Sequence, residues 1–79
     1  MDIDEQNHQK FLEELLKWCR HQDRIFVEID RKLHVMKEIA KYALEHELTA
    51  IEIEKLNSQL SELKSEVDSL EKQLNPGVQ

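Results

Sequence analysis

The residues of this chain best equipped for chemistry are Asp30, His34 and Glu38, spaced four apart. On a helix that spacing stacks an imidazole between two carboxylates on one side, a donor set that clips a divalent metal. Surface polar residues fall into the same spacing often. Solvated side chains are therefore the reading kept, with no metal and no cofactor assigned. The other histidines, His8, His21 and His46, do not extend the set. Spacings of twelve or thirteen residues rotate a helix by roughly 120–220°, so the four imidazoles share no face. Cys19 is the one thiol, which rules out an intrachain disulfide. Arg20 and His21 beside it favour a thiolate, but no glycine-rich or strand-turn-helix setting accompanies them, and next to Trp18 it reads as a small apolar residue. In a parallel oligomer two Cys19 thiols would meet and crosslink on oxidation. No catalytic residue is assigned, and the chain reads as a non-enzyme.

The elements that position these side chains are helices. Gly77 and Pro76 are the only glycine and proline among 79 residues, so tight turns and strand hairpins have little support. Helix formers fill most positions. The clearest pattern is the ladder Ile53, Leu56, Leu60, Leu63, Val67, Leu70, Leu74, stepping alternately by three and four, the seam of a left-handed coiled coil. A second series, Phe26, Ile29, Leu33, Met36, Ala40, Ala43, has the same rhythm in a different frame, widened by Ile25, Ile39 and Tyr42. A third, Phe11, Leu12, Leu15, Leu16, Trp18, Cys19, is broader and suits more than one neighbour.

Boundaries follow from these frames. The acidic and amide residues Asp2, Asp4, Glu5 and Asn7 suit a helix N-terminus. The polar run Arg20-His21-Gln22-Asp23-Arg24 divides the apolar series, and Asp23 is able to cap a second helix there, against the alternative of a continuous helix, since no glycine or proline enforces a break. Thr49-Ala50-Ile51-Glu52 is a capping box, with Leu48 and Ile53 at the positions of a hydrophobic staple. Together they predict a turn at Thr49, against the alternative of a stutter within one continuous helix. The expected organisation is a single helical domain over 1–79, with helices at 5–22, 24–46 and 50–74 and a disordered tail at 75–79. The expected fold is all-α. It is either an antiparallel hairpin with a third N-terminal helix or a long rod-like coiled coil, and oligomerisation is expected from the thin core that 79 residues supply.

Function classes are then narrowed by charge. The formal net charge is −6, distributed as −2 over residues 1–24, −1 over 25–48 and −3 over 49–79. Without a basic cluster, neither nucleic acid nor an anionic membrane surface is an expected partner. The longest apolar run, Ile25-Phe26-Val27, is far too short to span a bilayer, and the acidic start lacks a signal-peptide profile. These features predict a soluble cytoplasmic protein.

What remains is protein–protein interaction. The surfaces expected to bind a second copy or another protein are Phe11, Leu15 and Trp18 together with Ile53, Leu56, Leu60, Leu63, Val67, Leu70 and Leu74, with Thr49 and Glu52 as the helix cap. Leu56, Leu63 and Leu70 recur every seventh residue and resemble a leucine zipper, but the basic region of DNA-binding zippers is missing. The flanking pairs of a parallel dimer, Glu52–Asn57, Gln59–Lys64 and Glu66–Glu71, join no opposite charges, so an antiparallel partner helix is as well supported. Leu48-Thr49 followed by Leu56, Leu60 and Leu63 fits a turn leading into a second helix. In this respect residues 25–63 resemble the short helical hairpins of the bacterial sporulation-inhibiting aspartyl-phosphate phosphatases. Where that family has Ser-Gln-Glu-Leu-Asp, this chain has Asn57-Ser58-Gln59-Leu60-Ser61, with serine in place of the aspartate, and Glu47 replaces the turn glycine. The resemblance implies an alternative function, a helical-hairpin phosphatase acting on a response regulator. The residues themselves favour a coiled-coil interaction and oligomerisation module, a small adaptor or regulator.

Overall fold

The computed structural model describes residues 3–74, which form two helices, α1 (Ile3–Glu45) and α2 (Ala50–Leu74). They pack against each other as a hairpin, and the molecule is elongated, 71 × 23 × 14 Å. The tail expected at 75–79 lies outside the described residues.

The kink that Asp23 would cap at residues 20–24 does not occur. The helices expected at 5–22 and 24–46 are one 43-residue helix. Every residue of Arg20–Arg24 tolerates helical geometry. A cap at Asp23 would also give up backbone hydrogen bonds that the continuous helix keeps. Among the described residues the expected third helix is accordingly not a separate element: its residues are the first half of α1. Asp4 and Glu5 occupy the first turn, where the helix dipole favours negative charge.

The chain reverses at His46–Thr49, so the rod is replaced by the hairpin. Two devices make the reversal. On the α2 side the capping box forms. The Glu52 N–H donates to Thr49 Oγ1 at 3.2 Å, the Thr49 N–H donates to Glu52 Oε1 at 3.0 Å, and the Ile53 N–H donates to the Thr49 carbonyl at 2.9 Å. On the α1 side His46 takes the place of a terminating glycine. Its Nδ1 donates to the Tyr42 carbonyl at 2.8 Å, and its ring stacks on Tyr42 with centroids 4.0 Å apart.

Replacing Thr49 with alanine is expected to cost about 1 kcal/mol, read as a lower thermal midpoint. The same cap carries a pH dependence. The Thr49 N–H, and then its hydroxyl, hold the Glu52 carboxyl below its ordinary value. A carboxylate depressed in the folded state contributes fully above its unfolded value and loses that contribution as pH falls through the folded one. The midpoint should therefore be flat near neutrality and drop below about pH 4, with a shallower drop in Glu52→Gln.

The core is small. Ile25, Ile29 and Val67 are buried, with Met36, Leu70 and Leu74 packed around them. It lies at the end of the hairpin far from the turn, so the loop closes one end and this cluster the other.

Candidate interaction surface

The seam between the helices differs from the expected frame on α1. The residues turned to α2 are Gln22, Ile25, Ile29, Lys32, Met36, Ile39 and Ala43, all buried or partly buried. Ile29, Met36 and Ala43 belong to the series read from the sequence and Ile25 and Ile39 to the residues that widen it, whereas Gln22 and Lys32 belong to neither. Phe26, Leu33 and Ala40, the other members of the series, are exposed. The apolar stripe of α1 is wide enough for two frames, and the four-residue turn delivers α2 along one flank of it. On α2 the expected ladder does meet α1 at Leu56, Leu60, Leu63, Val67, Leu70 and Leu74, while Ile53 stays 46% exposed.

Lys32 stands inside this seam by a route hydropathy does not show. Its methylene stem lies in the interface and its ammonium donates to Glu66 Oε1 of α2 at 2.6 Å, with Glu28 at 4.0 Å. Glu28 is engaged on its other side by Arg31, whose guanidinium hydrogen-bonds both carboxylate oxygens and holds the carboxyl below its usual range. The Lys32–Glu66 bridge fixes the antiparallel register across 34 residues of chain. Reversing one charge, Glu66→Lys, should cost about 1 kcal/mol, and Lys32→Glu with Glu66→Lys should recover most of it. Thermal melts of the four proteins provide the cycle.

From that register the described part of α2 ends beside Ile25, and among the described residues none lies opposite the first part of α1. Every described side chain from Asp4 to His21 is exposed. This overhang is roughly 28 Å long. It carries Phe11, Leu12, Leu15, Leu16 and Trp18, between 43% and 59% exposed, with Cys19 also exposed. Phe11, Leu15 and Trp18 therefore form an uncovered apolar face, while six of the seven ladder residues of α2 are engaged within the chain.

No protein-family model, curated protein or solved structure matches this chain. Its surfaces are read from their own chemistry.

That chemistry is apolar. Among the described residues no three His, Cys, Asp or Glu side chains come together as a metal site, so Asp30, His34 and Glu38 remain separate exposed groups. The grooves between the helices, lined by Glu28, Lys32, Ser69 and Leu70 on one stretch and Val35, Ile39 and Leu63 on the next, are open to solvent. Asn57, Ser58, Gln59 and Ser61, the positions raised by the phosphatase resemblance, are exposed on α2, with Leu60 turned into the seam. Among the described residues, no helix is long and apolar enough to cross a membrane. Two functional side chains escaped sequence reasoning. His46 was signalled by the Tyr42/His46 spacing of four, whereas Lys32 gave no signal, because a lysine at a seam position reads as polar.

Proposed function

We propose that this chain is a non-enzymatic protein–protein interaction and oligomerisation module of coiled-coil type, a small cytoplasmic adaptor or regulator. Its working surface is the uncovered face of α1. One observation carries the reading: among the described residues a helix projects roughly 28 Å beyond the end of α2 and presents six apolar side chains to water. Monomeric proteins rarely leave contiguous apolar patches of more than about 300–600 Å² exposed. Phe11 and Trp18 are the residue types that anchor protein interfaces.

Placing a photo-crosslinking phenylalanine analogue at position 18, and separately at position 17 on the opposite face, tests this in living cells. Discrete protein adducts from position 18, absent from position 17 and lost on adding Leu15→Glu, are expected. Equal labelling from both faces, or none, would overturn the reading.

A further inference from the structure

Three apolar columns run side by side along α1, and α2 covers two of them. Ile25, Lys32 and Ile39 form the first, and Gln22, Ile29, Met36 and Ala43 the second. The third is Leu12, Cys19, Phe26, Leu33 and Ala40, one residue in seven, exposed throughout. Helix geometry puts this third column on the flank of the seam that Ile53 and Leu60 of α2 share, so beside the turn the two helices present a common apolar strip, which Leu33 and Phe26 continue along α1. Phe26 is 57% exposed there and Leu33 48%. A stripe this wide belongs to a bundle helix with two neighbours, and among the described residues α1 has one.

The same chain also carries a helix to lie on this strip. The overhang's broad face, Phe11 to Cys19, is suited to two neighbours at once. It cannot fold back onto its own hairpin, because α1 continues through residues 20–24 without a break. We infer that the apolar strip of each hairpin is covered by the overhang of a second copy of this chain, each copy supplying one third helix and receiving one. The inference rests on the reading of this α1 face as a protein interface.

Length, area and packing all favour this occupant. The apolar part of the overhang, residues 11–21, spans roughly 16 Å, and the stretch 34–44 that would receive it has the same length and lies within α1. Phe11, Trp18 and Phe26 offer about 300 Å² of uncovered area per chain, from aromatic side chains of 150–250 Å² that are each more than half exposed. The four exposed leucines add a comparable amount, which approaches the ~800 Å² per partner of a standard stable interface. The exchange is isologous, so a two-fold pair closes with no strip left open.

Reciprocity makes the two α1 helices antiparallel, and the ladder sets their register. Leu12, Leu15, Cys19, Gln22, Phe26, Ile29, Leu33, Met36, Ala40 and Ala43 step by three and four without a miss. One antiparallel alignment follows the whole ladder; it covers the exposed Leu12, Leu15, Cys19, Phe26, Leu33 and Ala40, while Gln22, Ile29, Met36 and Ala43 are shared with α2 as in the core of a bundle. It sets Leu12 opposite Ala43, Leu15 opposite Ala40, Cys19 opposite Met36, Gln22 opposite Leu33 and Phe26 opposite Ile29. Large side chains of the overhang then meet alanines near the turn, which keeps the packed volume even along the dimer. A parallel pair in register would set alanine on alanine at one end and Phe26 on Phe26 in the middle.

Cys19 makes the arrangement testable by thiol crosslinking. In the inferred dimer the two Cys19 residues lie roughly 26 Å apart, beyond a short bis-maleimide, whereas position 36 of the partner lies opposite Cys19. Cys19 and position 36 of one chain are equally distant along a straight helix, so any link between them joins two chains. Light scattering during size-exclusion chromatography should give twice the chain mass. The bis-maleimide should link most of Met36→Cys into covalent dimers while leaving the wild type unlinked. Ala40→Cys, at an exposed position one turn further, is the second variant and should link as well. Wild-type Cys19–Cys19 dimers would show a parallel pair and overturn the inference. A monomer over a hundredfold concentration range would overturn it too. Adducts to a different protein from position 18 would then leave the interaction reading standing, and their absence would remove both.

Discussion

Replacing Val67 with aspartate is expected to open the hairpin. Val67 is 5% exposed and joins Ile25 and Ile29 in the only buried cluster among the described residues. A carboxylate placed there has no cation in the cluster to pair with, and an unpaired buried charge costs several kcal/mol. A core from a chain of this size supplies roughly 3–5 kcal/mol in total. The substitution therefore removes most of what holds α2 on α1. Circular dichroism should lose its cooperative thermal transition. Val67→Ala, which deletes two methyl groups, should instead lower stability by about 2 kcal/mol and keep the transition. A Val67→Asp protein that melts like the wild type would mean that the hairpin is held elsewhere, at the turn or by Lys32 and Glu66.

Trp18→Ala is expected to act on association and leave the hairpin alone. Trp18 is 56% exposed on the overhang, where α2 does not reach. Alanine is the better helix former, so the dilute chain should keep its helicity and its melting midpoint. Assembly, or binding of a partner, should weaken by about 2–4 kcal/mol, the range for truncating an aromatic anchor. In Kd this is roughly thirtyfold to several hundredfold. Sedimentation equilibrium over a concentration series measures it directly. A lowered midpoint with unchanged association would place Trp18 in the fold of the single chain, and no change in either quantity would remove it from both roles.

The two substitutions separate what α1 does along its length. Its second half is a packing surface for α2, and its first half is a helix whose apolar side chains α2 leaves exposed. That division follows from two features of unequal visibility. The turn was legible because its chemistry is local: Thr49 and Glu52 lie three residues apart and satisfy each other's backbone groups wherever the rest of the chain goes. At Arg20–Arg24 the sequence leaves a kink and a continuous helix both open, because polar composition resembles a linker, and the structure takes the continuous helix. Composition alone does not break a helix that has no glycine, no proline and a hydrogen bond to keep at every residue.

By itself the sequence determined the all-helical class, the rhythm of three apolar ladders and the place where the chain reverses. Each depends on residues within a turn or two of one another. Which two of α1's three columns α2 would cover was decided only by the tertiary structure. Phe26, Leu33 and Ala40 are as regular in the sequence as Ile25, Lys32 and Ile39, and more apolar, yet they are the exposed set. Hydropathy ranks columns by composition, whereas the short turn fixes the direction in which α2 returns. A lysine is accepted there because its stem packs while its ammonium reaches Glu66 at 2.6 Å. The length of the overhang is likewise a tertiary result. It is the difference between 43 residues of α1 and 25 of α2 once a continuous helix and a tight turn are both in place.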